Sequence, residues 1–199
     1  MPEQVHLAVF ASTRGTDLQA ILDAQAQGEL PGVLLKFVLS NKPECYALER
    51  ARLTGVKTVV VEAQGKTREE FDQECLRVCE EHGVNLILLI GYMRIISPVL
   101  IGAYPGRIWN IHPSLLPKYP GMDTDVHRAV LENKESESGC TLHVVDEGVD
   151  TGSIVLQEKV SVVAGETVES LKAKVQAKEQ EVILKALRQF AAGNMEKGR

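Results

Sequence analysis

Two polar side chains end an otherwise apolar strand pattern, and their types suit carbonyl chemistry. In the segment RIWNIHP, Asn110 and His112 stand two residues apart. In extended chain, residues at that spacing point to the same side. An amide donor beside an imidazole can polarise a carbonyl group and stabilise an oxyanion. A histidine at a strand end is also commonly a structural, hydrogen-bonded residue, and spacing alone does not separate the two interpretations.

The segments around these residues favour a fixed site. Three prolines, Pro113, Pro117 and Pro120, follow directly and restrict the backbone of the loop. Asp150 lies in the turn-rich segment DEGVDTG, where the plain interpretation is a turn aspartate. If folding brings Asp150 to His112, its carboxylate would orient the ring and keep a proton on it.

Several other reactive side chains are better explained as structural. His127 stands near Asp123 and Asp125, but this segment is typical of an acid-rich helix start rather than a metal site. His143 alternates within the strand pattern TLHVV, which indicates a structural strand residue. Ser114 lacks the flanking residues of a nucleophile elbow, so a serine hydrolase is not favoured. We therefore expect no metal.

Composition describes an ordinary globular protein. The 199 residues are 44% hydrophobic and 25% charged, with a net charge of −5, which suits one domain without a nucleic-acid surface. No apolar run approaches a membrane span, and the N-terminus shows no basic, cleavable leader, so we expect a cytoplasmic protein without a membrane partner. The cysteines form no C-x-x-C pair and fit free thiols in a reducing compartment. They stand at positions 45, 75, 79 and 140.

Strand and helix patterns alternate along the first half of the chain. This alternation predicts an α/β fold: a Rossmann-like, mostly parallel sheet with helices on both faces. The second half predicts an antiparallel extension of the sheet and a long amphipathic closing helix. The predicted strands are 5–11, 33–40, 57–61, 85–90, 107–111, 140–145 and 153–162. The predicted helices are 18–27, 44–54, 67–82, 125–132 and 168–190.

Ligands of such sheets bind beyond the carboxyl ends of the strands, where polar loops follow. The turn 12–17 opens a helix, whose free N–H groups and dipole suit a phosphate, although an ordinary helix cap is equally consistent. The segment 91–96 mixes a glycine with large apolar groups, which suits a flat aromatic ligand but also core packing. The loops 110–121 and 146–152 complete the set.

Motifs along almost the whole chain resemble the folate-dependent phosphoribosylglycinamide formyltransferase family. They include LAVFASTRGTDLQAI, GYMRIISP, NIHPSLLPKYPG and GCTLHVVDEGVDTG. The resemblance implies transfer of the formyl group of 10-formyltetrahydrofolate to the amine of phosphoribosylglycinamide, a step of purine biosynthesis. It implies a single domain over 1–199, with a nucleotide-binding half at 1–110 and a folate-binding half with the closing helix at 111–199.

The resemblance also assigns residues. Asn110, His112 and Asp150 would be the catalytic group. The folate pocket would be formed by Met93, Arg94, Ile95, Ile96, Val144, Val145 and Asp146. The ribonucleotide would be held by Ser12, Thr13, Arg14, Gly15, Thr16, Asp17, Arg68, Pro113, Gln176 and Glu179.

Two departures from the family pattern affect these assignments. The family usually has glycine where Thr13 stands and serine-asparagine in place of Thr16-Asp17. A carboxylate at Asp17 would repel phosphate unless it turns away to cap the helix, which would leave Arg14 and Arg68 to carry more of the binding. Two extra residues near the segment MDTDVH make contacts in that loop hard to transfer.

Related activities stay open as alternatives. They are methionyl-tRNA formyltransferase, formyltetrahydrofolate hydrolase and a non-catalytic folate or phosphoribosyl sensor. The first normally adds a basic tRNA-binding domain and the second an N-terminal regulatory domain, and we expect neither in this chain. The sequence leaves open whether the protein is a monomer or a homodimer.

Overall fold

The computed structural model describes residues 4–121 and 125–194. One sheet of seven strands runs through these residues, in the order β3-β2-β1-β4-β5-β6-β7. Residues 122–124 lie outside the described residues. They include Asp123 and part of the loop that has two extra residues relative to the family. The strands are β1 (Val5–Ala11), β2 (Val33–Ser40), β3 (Thr58–Val60), β4 (Leu86–Ile90), β5 (Ile108–His112), β6 (Glu137–Val144) and β7 (Ile154–Ser161).

Strands β1 to β5 are parallel, whereas β6 pairs antiparallel with β5 and β7 antiparallel with β6. The predicted fold class is confirmed. The chain leaves β1 toward β2 and β3, then returns to the other side of β1 with β4, so the strand order reverses between β1 and β4. A crevice forms at such a reversal, beyond the carboxyl ends of the two strands.

Helices cover both faces of the sheet. Helices α1, α2, α5 and α6 pack on one face with the larger core cluster, and α3 and α4 pack on the other. All five residues of β4 are buried, as its continuously apolar sequence predicts. The helices are α1 (Thr16–Ala26), α2 (Tyr46–Leu53), α3 (Arg68–Glu81), α4 (Pro98–Ala103), α5 (Val126–Glu132) and α6 (Val168–Ala191).

The start of α3 shows how local sequence fixes a helix end. Thr67 accepts a hydrogen bond from the N–H of Glu70, and the Glu70 carboxylate accepts one from the N–H of Thr67. This reciprocal pair is the predicted capping box. Helix α4 was not predicted, because six residues that begin at Pro98 are too few to show a helical period. Among the described residues, no helix is long and apolar enough to cross a membrane.

Candidate active site

Strand β5 presents Asn110 and His112 on one face of the sheet. Their neighbours Trp109 and Ile111 belong to the apolar core on the opposite face, as strand alternation requires. In the antiparallel ladder with β6, Asn110 lies directly opposite His143. The Asn110 amide nitrogen lies 3.1 Å from Nε2 of His143. Two strands thus place an amide and two imidazoles on one surface.

The carboxylate of Asp150 lies between these groups. Its Oδ2 is 3.4 Å from Nδ1 of His112, and its Oδ1 is 3.3 Å from Nε2 of His143. The Asn110 amide donates to Oδ1 at 3.5 Å, and the backbone N–H of Gly121 donates to Oδ2 at 2.8 Å. The loop between β6 and β7 therefore folds over the sheet and brings Asp150 to the strand-end residues.

Charges and donors around Asp150 keep it ionised. Burial raises its pKa, but the hydrogen bond from His143, the N–H of Gly121 and the charges of His112 and His143 together outweigh burial and lower the pKa to about 2. The carboxylate is therefore ionised near neutral pH, and it faces one ring nitrogen of each histidine. The site therefore holds a negative charge at its centre and hydrogen-bond donors at its edge.

Backbone carbonyls fix the other nitrogen of each ring. Nε2 of His112 is 2.8 Å from the carbonyl oxygen of Tyr119, and Nδ1 of His143 is 2.9 Å from that of Val144. A carbonyl oxygen can only accept, so these nitrogens donate to it. The remaining nitrogen of each ring faces the Asp150 carboxylate, which also only accepts. Both nitrogens of each ring therefore have partners within the protein.

A cavity of about 270 Å³ opens beside this group. Asn110, His112, Asp150 and Pro113 line it. Apolar and polar groups both contribute, which fits a flat heteroaromatic ligand with polar edges. Of the predicted folate residues, those that line the cavity are Met93, Arg94, Ile95, Ile96, Val145 and Asp146.

One predicted folate residue, Val144, points elsewhere. Its side chain packs against the core cluster on the α1 and α6 face, whereas Val145 packs on the α3 and α4 face and lines the cavity. Adjacent residues at a strand end project to opposite faces, so the two valines cannot share one pocket wall. The side chain of Val144 therefore does not line this cavity, and its assignment to the folate pocket stays a prediction.

The turn before α1 has the expected left-handed glycine. Gly15 precedes the helix with φ of 61°, and a Cβ there would come 2.6 Å from the Cβ of Ala47. Thr13 and Arg14 are exposed, and Thr16 is partly exposed at the first helical position. Ser12 is 5% exposed, and its hydroxyl is already hydrogen-bonded within the protein. Ser12 therefore does not offer a free hydroxyl to a phosphate.

Asp17 turns away from the helix end but does not cap it. The helix start has no side-chain cap, and Asp17 is 7% exposed, with its Oδ1 buried and without a hydrogen bond. Burial raises its pKa to about 6, although a hydrogen bond from Gln180 lowers it in part. Glu179 on α6 is as buried, and burial together with the charge of Asp17 raises its pKa well above the ordinary value. The two carboxyl groups do not both ionise easily near neutral pH.

The remaining predicted ribonucleotide residues lie on different elements of the fold. Gln176 is partly buried on α6, and Pro113 lines the cavity. Arg68 begins α3, where its guanidinium pairs with Glu69. Its positive charge also opposes the rise that burial causes in the pKa of Asp72. Helix α3 packs on the face opposite α1 and α6, and among the described contacts none joins Arg68 to the turn 12–17.

The sequence reasoning missed three contributors to the site. His143 was interpreted as a structural strand residue, yet it contacts both Asn110 and Asp150. The carbonyl of Tyr119 and the N–H of Gly121 hold His112 and Asp150. The available signal for His143 was its strand alternation, because it falls on the same face of β6 as Thr141, opposite His112 in the ladder. No sequence pattern identifies a backbone carbonyl as a partner.

The described residues hold no cluster of three or more His, Cys, Asp or Glu side chains arranged for a metal ion. All four cysteines are buried free thiols. Burial, and the charges of Asp72 and Cys79, raise the pKa of Cys75, so this thiol is a poor nucleophile. Asn110, His112, His143 and Asp150 line the cavity and can supply hydrogen bonding and proton transfer there.

Donors aimed at a cavity from a rigid strand suit the oxyanion that develops when a carbonyl group is attacked. The open α/β sheet and this site together define an enzyme of the acyl-group transfer class. Residues 5–187 match the formyl transferase family model. The chain belongs to the formyl transferase family.

Several known proteins are similar to this chain in sequence or in structure. The chain is 38% identical over 192 residues to a phosphoribosylglycinamide formyltransferase of Escherichia coli (strain K12), covering 96% of this chain and 89% of that protein. It is 41% identical to the trifunctional purine biosynthetic protein adenosine-3 of Chironomus tentans, covering 94% of this chain but 14% of that protein. The structure of glycinamide ribonucleotide transformylase 1 from Symbiobacterium toebii matches with a TM-score of 0.90 and 40% identity, covering 96% of this chain and 89% of the other.

Proposed function

We propose that this protein transfers the formyl group of 10-formyltetrahydrofolate to the amine of phosphoribosylglycinamide, a step of purine biosynthesis. The observation that carries the proposal is the contact of Asp150 with His112 beside Asn110, at the wall of a cavity. The products would be phosphoribosyl-N-formylglycinamide and tetrahydrofolate. The names of relatives that align over nearly the whole chain support the same reaction.

The site residues would act on the carbonyl oxygen of the formyl group. As the unprotonated amine attacks the formyl carbon, the carbonyl π bond breaks and its electrons move to the oxygen. The Asn110 amide would donate a hydrogen bond to that oxyanion, and Nε2 of His112 would do so by exchanging its bond to the Tyr119 carbonyl for one to the oxyanion. Asp150 would keep His112 charged and oriented, as its two-sided contact with the histidines allows.

The second half of the reaction breaks the bond between the formyl carbon and the folate nitrogen. The former amine has a proton to lose, and the leaving nitrogen needs one. Asp150 and His112 would pass this proton, directly or through water, so that both products leave neutral at the reacting nitrogens. Every proton and electron pair is accounted for without a covalent enzyme intermediate or a metal.

The folate donor would occupy the cavity. Its apolar wall includes Ile95, Ile96 and Val145, and the polar loop at Asp146 offers acceptors for a pterin ring. The residues present fit a flat ring that must be both stacked and hydrogen-bonded. The donor nitrogen and formyl group would then face Asn110 and His112.

The ribonucleotide would approach from the turn before α1. The free N–H groups at the start of α1, after Gly15, and the exposed Arg14 suit its phosphate. Gln176 and Glu179 on α6 would contact the ribosyl and glycinamide groups. A cytoplasmic reaction with small-molecule substrates is consistent with the four free thiols.

One assay separates the proposed reaction from its alternatives. Purified protein would be incubated with 10-formyltetrahydrofolate and, separately, phosphoribosylglycinamide, initiator methionyl-tRNA or water as acceptor. We expect product with phosphoribosylglycinamide. Formylated tRNA or free formate as the main product would identify one of the related enzymes, and binding without any turnover would identify a sensor.

A further inference from the structure

We propose that Ser12 is a positioning residue that joins two substrate-binding segments, the turn 12–17 and the loop 91–96. In this arrangement, a ligand bound at one segment favours the conformation that binds the other. The inference rests on the proposed function, which assigns the turn to the ribonucleotide and the loop to the folate donor.

Three hydrogen bonds centre on Ser12. Its N–H donates to the carbonyl of Gly91 at 3.1 Å, and its hydroxyl accepts from the N–H of Met93 at 3.0 Å. The same hydroxyl donates to Oδ1 of Asn41 at 2.7 Å, after β2. The Ser12 side chain is 5% exposed, so water has little access to its hydroxyl. One serine thus connects the segments that follow three neighbouring strands.

The two segments also make a close van der Waals contact. Gly91 has φ of 54°, a conformation that glycine adopts without strain. A Cβ at this position would come 2.3 Å from Oγ1 of Thr13. The turn and the loop therefore pack backbone against side chain, with no room for a side chain at residue 91. A displacement of one segment therefore requires the other segment to move as well.

The location of this contact matters for ligand binding. Ser12 follows β1 and Gly91 follows β4, and the strand order of the sheet reverses between these two strands. On one side of Ser12, Gly15 begins the free N-terminus of α1. On the other side, Met93 lines the cavity next to the Asn110 and His112 site. Ser12 therefore stands between the two ligands and need not touch either one.

Removal of the hydroxyl would loosen the connection. In Ser12→Ala the N–H of Met93 loses its acceptor, so conformations with a displaced loop gain population. The apparent Kd of a ligand rises in inverse proportion to the fraction of protein in the competent conformation. A ligand bound at the turn would then no longer raise the fraction of protein whose loop can bind the folate donor. By thermodynamic linkage, the folate donor would likewise no longer raise the affinity for the ribonucleotide.

The experiment measures coupling between the two ligands directly. Isothermal titration would give the Kd of a folate analogue that lacks a transferable formyl group, with and without saturating phosphoribosylglycinamide. In the wild-type protein the ribonucleotide should tighten analogue binding by about 5- to 50-fold. In Ser12→Ala this ratio should fall close to one. Ser12→Thr, which keeps a hydroxyl, should recover part of it.

A matched control is Ser138→Ala on β6. Ser138 is also buried, and its hydroxyl has no hydrogen-bond partner among the described residues. This variant should keep the wild-type ratio, so a general loss of packing is distinguished from loss of the Ser12 contacts. A merely structural role of Ser12 would weaken both Kd values and leave their ratio unchanged.

Two outcomes overturn the inference: a wild-type ratio of one, or a Ser12→Ala protein that retains the wild-type ratio. If Ser12→Ala does not fold, Asn41→Ala tests the same connection, because the Ser12 hydroxyl then loses the partner that orients its lone pair toward the N–H of Met93. An intermediate ratio is expected there, and an unchanged ratio counts against the inference. Coupled binding of both ligands without formyl transfer would instead overturn the proposed function alone.

Discussion

Oδ2 of Asp150 lies 3.4 Å from Nδ1 of His112, while the other oxygen of the same carboxylate lies 3.3 Å from Nε2 of His143. One carboxylate therefore faces two imidazoles that stand on neighbouring strands. Asp150 itself has φ of 55°, which few residues other than glycine adopt and which costs about 1 kcal/mol. The hydrogen bond from Gly121 and the two rings hold it in this conformation.

Replacement of Asp150 by asparagine should abolish most turnover without unfolding the protein. The amide carries no negative charge to orient His112 and to take part in the proton transfer, so kcat should fall by about 10²–10³. Single-turnover rates at pH 7.5 would measure this loss. Glu147→Gln, an exposed neighbour in the same loop, is the control. An Asp150→Asn protein with near-wild-type kcat and an unchanged melting temperature would show that the assignment is wrong.

The sheet could be predicted because its signals are local. The apolar run that forms β4 and the capping box at Thr67 each depend on neighbouring residues, and both appear as predicted. Helix α4 could not be predicted because its six residues bury only Leu100, and a helical pattern needs apolar residues that recur over more than one turn. The order of the strands in the sheet depends on how the helices pack between them, and the hydrophobic period of a segment carries no information about that packing.

The site was predictable only in part because its contacts join distant segments. Spacing placed Asn110 and His112 on one face, and the structure agrees. It did not reveal His143, whose role depends on the ladder register between β5 and β6. The burial of Asp17 against α6 also depends on tertiary packing, so the sequence raised the question of its charge without answering it.

His143 should contribute to turnover despite its place within a strand. It contacts the Asn110 amide and Asp150, so His143→Ala would leave both less firmly oriented. A displacement of about 1 Å can reduce the rate up to about a hundredfold, and we expect a kcat loss of about 10- to 100-fold with smaller changes in KM.

The control for His143 is His82→Ala. His82 also places its Nδ1 2.8 Å from a backbone carbonyl, that of Val78, but it lies at the end of α3. It should leave kcat unchanged. Steady-state kinetics with both substrates would measure the difference, and equal effects of the two variants would mean that His143 is only a structural residue.

Arg14 should determine affinity for the ribonucleotide. Its exposed guanidinium lies 5.7 Å from the ring centre of Tyr46, and its carbonyl accepts from Nε of Arg50 at 2.8 Å, so the turn is braced. Loss of one charge-assisted hydrogen bond to phosphate should raise the KM for phosphoribosylglycinamide about tenfold or more. The KM for the folate donor should change much less in Arg14→Ala.

Arg68→Ala provides the comparison, because the resemblance assigns Arg68 to the same phosphate. The structure pairs Arg68 with Glu69 on α3 instead. We therefore expect a smaller rise in the ribonucleotide KM than in Arg14→Ala. A rise in Arg68→Ala as large as that in Arg14→Ala would mean that Arg68 moves to the turn when the substrate binds.

Asp17 should make the protein less stable as the pH rises. Burial raises its folded-state pKa from 3.8 to about 6, so the unfolded chain releases the proton at lower pH than the folded protein. The folded state therefore loses stability between about pH 4 and pH 6, and the full penalty of up to about 3 kcal/mol is present above that range. Asp17→Asn removes the titrating group and should be more stable at pH 7.5 but not at pH 4.

Urea unfolding at the two pH values measures this difference, with Asp23→Asn as the control. Asp23 is an exposed aspartate on the same helix, so its replacement should change the free energy of unfolding little at either pH. Glu179 remains in both variants; burial keeps its pKa raised, whereas the part of the rise that the charge of Asp17 causes is lost in Asp17→Asn. A stability gain in Asp17→Asn that is equal at pH 4 and pH 7.5 would trace the effect to packing and would contradict the buried charge as its cause.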